Sequence, residues 1–137
     1  MAANVITRLV EWGDCDPAGI VFYPNFYRWF DQGTWALFRA LGLSPAVVSE
    51  RYGSFGAPLV DTGARFILPA RPGDQISVET KVESLTDKSL RLAHSVTCGD
   101  KLIAEGFEVR VWGMRDPADP SRIRAAAIPD EVRKILA

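Results

Sequence analysis

The stretch "EWGDCDPAGIVFYPNFYRWFD", residues 11–31, decides the fold. Glu11, Asp14 and Asp16 crowd the end of a run, residues 4–12, that reads as a strand. Pro17, Ala18 and Gly19 then make a turn of small residues. Pro24 suits the first position of a helix, where its missing N–H costs nothing. The pattern predicts a helix to about Leu41, with Gly42 placed to end it. Phe26, Phe30, Leu37 and Leu41 share one face, and Trp29, Trp35 and Phe38 extend the apolar surface around it. A helix apolar over most of its circumference is a buried helix.

Outward from this helix the pattern changes. Ser44 and Pro45 open a short second helix over 45–52. Residues 59–68, 75–85, 89–98 and 101–112 alternate with period two. In QISVETKVE, Ile76, Val78, Thr80 and Val82 point one way and their neighbours the other, as in a half-buried strand. Connections such as Thr86-Asp87-Lys88 and Gly99-Asp100 suit antiparallel hairpins. A weak strand at 121–126 and an amphipathic helix at 129–136 close the chain. The expectation is an α+β fold: five or six antiparallel strands wrapped around one long helix. So apolar a helix, with an exposed sheet edge, asks for cover from a second copy, so at least a homodimer is expected.

Length and composition agree. With 137 residues, a single domain over 1–137 is expected, and it can bury roughly 68% of its unfolded surface without staples. Apolar residues make up 47% and mean hydropathy is +0.02, the balance of a globular protein. A net charge of −1 argues against a general nucleic-acid or membrane-surface binder. No apolar run reaches the roughly 20 residues of a membrane-spanning helix. The opening MAANVITRLVEWGD reads as a strand and not as an apolar leader. Cys15 and Cys98 lack metal-like spacing and read as reduced thiols, so a cytoplasmic location is expected.

Three features meet in residues 14–25. Asp16 sits among neighbours too small to cover it. The helix begins near Tyr23, and free backbone N–H groups there carry about half a positive charge. Ile20, Val21, Phe22, Tyr23 and Phe26 supply an apolar wall. A carboxylate, an N–H donor and a dry wall are the parts of an acyl-transfer site. The same Asp-Pro-Ala-Gly is also ordinary turn chemistry, and Glu11 and Asp14 read as groups that solvate or cap a turn. The carboxylates lack the regular ligand spacing of a calcium loop, so no metal is expected.

The stretch GDCDPAGIVFYPNFYRWFD, residues 13–31, resembles the 4-hydroxybenzoyl-CoA thioesterase family of hotdog-fold proteins. The acyl-CoA thioesterase family associated with the Tol-Pal system shares a looser form of it. The segments DKSLRLAHSVT and RIRAAAIPDEV also look familial, so the resemblance covers nearly the whole chain. It implies a hotdog fold, dimerised through the sheet and often tetrameric. It also implies that Asp16 is the catalytic carboxylate and that the Tyr23 backbone N–H is the oxyanion donor. Many relatives carry a histidine in the turn after the aspartate. Here Pro17-Ala18-Gly19-Ile20 has none, which favours the aroyl-CoA branch with its motif DPAGIV.

The resemblance further implies coenzyme A contact at Lys88 and Ser89, although Thr86 and Asp87 stand where relatives carry a basic pair. Phe22, Gly56 and Ala57 are expected against the acyl group, in a pocket between subunits. Asp31 matches a familial acid that orients the site or pairs with an arginine. Cys15 reads as a small packed residue. His94 shares a face with Leu90, Leu92 and Val96 and reads as a satisfied core residue. The expected reaction is hydrolysis of an aromatic acyl-CoA, such as 4-hydroxybenzoyl-CoA, to acid and free CoA without a cofactor. Two alternatives stand beside it: a thioesterase for short or branched aliphatic acyl-CoA, and an acyl-CoA-binding hotdog protein without turnover.

Overall fold

The helix expected after Pro24 forms as α1, Pro24–Ala40, in the computed structural model, which describes residues 1–137. Its C-terminus closes as a Schellman motif. Gly42 takes the left-handed conformation (φ 76°), and Leu43 N donates to Phe38 O at 2.8 Å. Phe26, Trp29, Phe30, Gly33, Thr34, Leu37 and Phe38 are buried. They form one wide face. Tyr27 and Trp35 lie half-buried on its margins, and Arg28 and Arg39 are exposed. The helix is therefore covered on one side within the chain, a narrower burial than its aromatic content suggests.

The sheet supplies that cover. β1 is Ala3–Leu9, and a 3-10 turn at Trp12–Asp14 follows it. After α1 come α2 (Pro45–Tyr52) and β2 (Ser54–Gly56). Then come β3 (Leu59–Phe66), β4 (Gln75–Leu85), β5 (Ser89–Cys98) and β6 (Lys101–Val111). β7 (Gly113–Arg115), β8 (Ile123–Ala125) and α3 (Asp130–Leu136) end the chain. The main sheet is antiparallel in the order β1-β4-β5-β6-β3, so β3 and β1 are its edges. These are the five long strands expected. The second sheet, β2-β7-β8, coincides with an expected run only at β8. β2 and β7 are too short to show a period.

Two apolar clusters divide the length of α1. Val10, Val21, Phe26, Phe30, Ile76, Val78 and Val96 belong to one, near its N-terminus. Leu37, Phe38, Leu90, Leu92, Trp112 and Ile128 belong to the other, near its C-terminus. The fold thus has one end at the N-terminus of α1, where the acid loop lies, and a far end, where the β4–β5 hairpin lies. Eleven residues of β4 separate the two by about 35 Å.

Close approach of α1 to the sheet depends on Gly106. A Cβ there would lie 2.5 Å from Phe30 Cε2 and 2.8 Å from the Gly63 carbonyl oxygen. Phe30 is fully buried and the carbonyl is backbone, so neither yields freely. Gly106→Ala should lower stability by roughly 1–3 kcal/mol, read from the denaturant midpoint. An unchanged midpoint would show that the helix has room to move.

Candidate active site

The acid loop is built by local hydrogen bonds. Glu11 and Asp14 cap the 3-10 turn reciprocally, with Glu11 N donating to Asp14 Oδ2 at 2.8 Å. This is the capping role expected of them. A bridge between Cys15 and Val21 closes the loop. Inside it, Asp16 N donates to Ile20 O at 3.0 Å and Gly19 N to Asp16 O at 2.9 Å. Gly19 has φ 77°, a conformation that its lack of Cβ permits. Ala18 N donates to Asp16 Oδ1 at 2.8 Å. One carboxylate oxygen is thus held by the turn, while Oδ2 has no protein partner. Asp16 is half-buried and lines a cleft of about 270 Å³ with Trp12, Cys15, Pro17 and Gly19.

The same loop holds the start of α1. Phe22 N donates to Asp14 O at 2.9 Å, and Asn25 Nδ2 donates to the same oxygen at 2.8 Å. Asn25 N and Phe26 N turn back onto Phe22 O and Tyr23 O. Pro24 has no N–H. The Tyr23 N–H donates no hydrogen bond and remains available at the positive end of the helix. Because Cys15 pairs with Val21, Asp16 lies opposite Ile20 and Phe22 opposite Asp14, so Asp16 and Tyr23 belong to the two paired arms of one loop, on either side of the bridge.

The apolar wall differs from expectation. Val21 and Phe26 are buried in the core and do not face the loop. The exposed aromatics are Trp12 (83%), Phe22 and Tyr23. Phe66, at the end of edge strand β3, has its ring centroid 6.2 Å from Tyr23 and 5.4 Å from Phe26. Trp12 was not anticipated, because one tryptophan beside a turn carries no period.

Five expected substrate residues lie elsewhere in the chain. Gly56 and Ala57 are buried at the far end. The space enclosed behind them within the protomer holds only about 10 Å³, so no acyl group fits on that inner side. Lys88 is exposed in the β4–β5 hairpin. Ser89 Oγ lies 2.6 Å from Thr86 Oγ1, which closes that turn. Asp31 lies about 12 Å along the helix from Tyr23. One protomer therefore does not bring these groups to Asp16.

Residues 10–136 match the model of the Thioesterase-like superfamily. The chain is 39% identical over 137 residues to a 4-hydroxybenzoyl-CoA thioesterase of Pseudomonas sp. strain CBS-3, covering 94% of each. It is 24% identical to a 1,4-dihydroxy-2-naphthoyl-CoA hydrolase of Synechococcus sp. strain WH7803, covering 96% of this chain and 86% of that one. The solved structure of the Pseudomonas thioesterase superimposes with a TM-score of 0.89 at 33% identity, covering 98% of this chain and 99% of that one. An aspartate-to-asparagine mutant of a 4-hydroxybenzoyl CoA thioesterase, complexed with 4-hydroxybenzoyl CoA, gives 0.90 at 32% identity with full coverage of both.

The chain belongs to the 4-hydroxybenzoyl-CoA thioesterase family.

It has the family's hotdog fold and is a thioester hydrolase. At mid-sheet, beneath α1, this thioesterase carries a buried polar network. His94 Nε2 lies 3.0 Å from Glu108 Oε1 and Nδ1 lies 2.9 Å from Thr80 Oγ1, so His94 is a satisfied core residue, as expected. Its ring stacks on Phe30 at 4.7 Å. Thr34 Oγ1 also donates to Glu108. Arg110 Nη2 donates to Glu108 Oε2 at 2.7 Å and to Asp31 Oδ1 at 2.8 Å. The arginine expected opposite Asp31 is therefore Arg110.

Glu108 and Arg110 themselves were missed for a physical reason. In GFEVRVW, alternation assigns the charges to solvent and the valines to the core. The structure inverts this. Glu108 and Arg110 are 2% and 3% exposed, while Val109 and Val111 lie on the half-exposed outer face.

Cys15 donates to Glu11 O at 3.6 Å. Burial, with Asp14, Asp16 and Asp74 nearby, pushes its thiol above the ordinary range, which disfavours the thiolate.

Burial opposes the charge on Glu108. The hydrogen bonds from His94, Arg110 and Thr34 and the charge of Arg110 override it, bringing the carboxyl from 4.5 to about 2. A folded value below the unfolded one stabilises the protein fully above about pH 4.5, and that stability is lost as pH falls towards 2. Glu108→Gln should cost about 3 kcal/mol at pH 7 and flatten the decline of Tm between these limits. A wild-type Tm independent of pH there would contradict the ionised assignment.

Proposed function

We propose that this thioesterase hydrolyses an aromatic acyl-CoA, of the 4-hydroxybenzoyl-CoA kind, to the free acid and CoA. The observation that carries this reading is the presence in one loop of a half-held carboxylate and an unsatisfied backbone N–H. Asp16 keeps Oδ2 free while Oδ1 is fixed, and the Tyr23 N–H has no acceptor. The thioester carbonyl oxygen accepts from Tyr23 N–H, which stabilises the negative charge that develops on it. Asp16 then attacks the carbonyl carbon, the C–S bond breaks to release CoA thiolate, and water cleaves the resulting mixed anhydride to the free acid and the Asp16 carboxylate, its proton passing to the thiolate. Alternatively Asp16 takes a proton from the water that attacks. Neither route calls for a metal or redox group. The names of the aroyl-CoA relatives support the acyl class.

The rest of the pocket comes from a second copy. β3 is an edge strand with exposed Leu59, Val60 and Phe66. It runs from the far end, beside Ala57, to the Asp16 end, beside Tyr23. Antiparallel pairing with the partner's β3 about a two-fold axis brings Asp16 and Tyr23 of one protomer towards the partner's Gly56, Ala57 and Asp31. The partner's Lys88 and Ser89 lie at that same end, since Ser89 pairs with Val111 and Val111 N donates to Pro58 O. Lys88 then meets the CoA phosphates, Phe22 borders the thioester, and the acyl ring lies against Gly56 and Ala57. The unit is a homodimer or a homotetramer of such pairs, with each chain acting as one domain over 1–137. The two free cysteines suit a reducing compartment, the cytoplasm.

Release of free thiol from a panel of acyl-CoAs tests the reading. Asp16→Asn should retain the fold and substrate binding but lose about a thousandfold or more in kcat. Aroyl-CoA should exceed short aliphatic acyl-CoA in kcat/KM by about tenfold. Normal turnover by Asp16→Asn overturns the carboxylate's role. A preference for aliphatic acyl groups overturns the substrate class. Binding without turnover of any acyl-CoA by the wild type overturns the assigned reaction.

A further inference from the structure

Arg110 hydrogen-bonds two groups of the expected acyl pocket, Ala57 and Asp31. Its side chain is 4% exposed and makes four hydrogen bonds. Nη1 donates to the Ala57 carbonyl at 2.9 Å. Nη2 donates to Asp31 Oδ1 at 2.8 Å and to Glu108 Oε2 at 2.7 Å. The guanidinium lies 5.8 Å from the Trp35 ring centroid, and Trp35 Cη2 lies where a Cβ on Gly56 would be 3.2 Å away. Arg110 therefore holds the Gly56–Ala57 segment directly at its carbonyl and stands behind it through Trp35.

The anchors differ in kind. Glu108 is buried and fixed by Thr34 and His94, so it holds the guanidinium plane in place. The Asp31 side chain is half-exposed (51%), and Ala57 lies beside edge strand β3. The fork thus transmits a rigid core position to two groups at the boundary where the acyl ring is proposed to lie. A planar guanidinium with five donors performs this; a lysine ammonium does not span the three acceptors.

We propose that Arg110 is a positioning residue for acyl-group selection, setting the separation between Asp31 and the Gly56–Ala57 segment. This rests on the composite pocket proposed above. Arg110 touches neither the thioester nor Asp16, so its loss acts on how well the ring is held and not on carbonyl chemistry.

The test is steady-state kinetics of Arg110→Lys, with wild type, Asp16→Asn and Thr80→Val in parallel, each corrected for folded fraction from thermal melts. Thr80 belongs to the same network but touches neither Asp31 nor Ala57. Arg110→Lys should raise KM for 4-hydroxybenzoyl-CoA by about tenfold, with kcat within about threefold. For acetyl-CoA, which has no ring to hold, KM should change by less than about twofold. Thr80→Val should lower Tm while leaving the KM ratio of the two substrates unchanged. Equal changes on both substrates, or an unchanged KM for the aroyl substrate, overturn the proposal. If Arg110→Lys does not fold, Asp31→Asn carries the test at its half-exposed site. It should raise the aroyl KM in the same sense, and an unchanged value overturns the proposal. Wild type inactive on aroyl-CoA, or Asp16→Asn fully active, indicts the proposed function instead.

Discussion

Burial of α1 against the sheet is the constraint on which the rest depends. Seven of its residues are buried on one face, and the sheet reaches them because Gly106 leaves room for Phe30. Once the helix is seated, its first turn is fixed in space. The preceding segment, residues 10–23, must then return from β1 to Pro24. It does so by folding Asp16–Gly19 into a tight turn braced on Asp14, Ile20 and Ala70. A carboxylate oxygen and a backbone N–H of the same loop are left unsatisfied as a consequence. The chemistry proposed for this thioesterase follows from how the chain enters its own core.

A second consequence concerns charge. Desolvating Glu108 and Arg110 is costly, and such a pair is weak evidence for stability in itself. What it does provide is geometry. Thr34, His94 and Thr80 saturate the carboxylate side of the network from three different elements, while Arg110 reaches out to α1 and to the segment before β3. An apolar core would pack the helix as well but would not specify where Ala57 and Asp31 stand. The exposed end of the network borders the strand edge through which a second copy is proposed to pair.

Much of this was legible in the residues. The long strands and all three helices follow from period and from capping residues, and Gly42 ends α1 as its position suggests. The acid loop was readable because turn residues, proline and aromatics occur there in a familial order. The inward face of β6 was not. Ile103 and Ala104 are both buried, β5 and β6 shift register between Val96 and Thr97, and the charged residues beyond face the core. Local alternation does not reveal such a shift. β2 and β7 pair over few residues and are held by the Ser54 hydroxyl on Gly113 O, a long-range contact with no local signal. The division of the site residues between two ends of the chain also had no local signal, because it is a property of the whole sheet.

The central claim is that Asp16 of one protomer acts on a thioester whose acyl end is held by the partner. Mixed dimers test it most directly. One protomer carries Asp16→Asn; the other carries Asp31→Trp, which fills the acyl end from a half-exposed helix position. Each homodimer is inactive, and each heterodimer holds one intact site. After verified subunit exchange in an equal mixture, the account predicts recovery of about a quarter of the wild-type rate. No recovery would contradict it and place the whole site within a single chain.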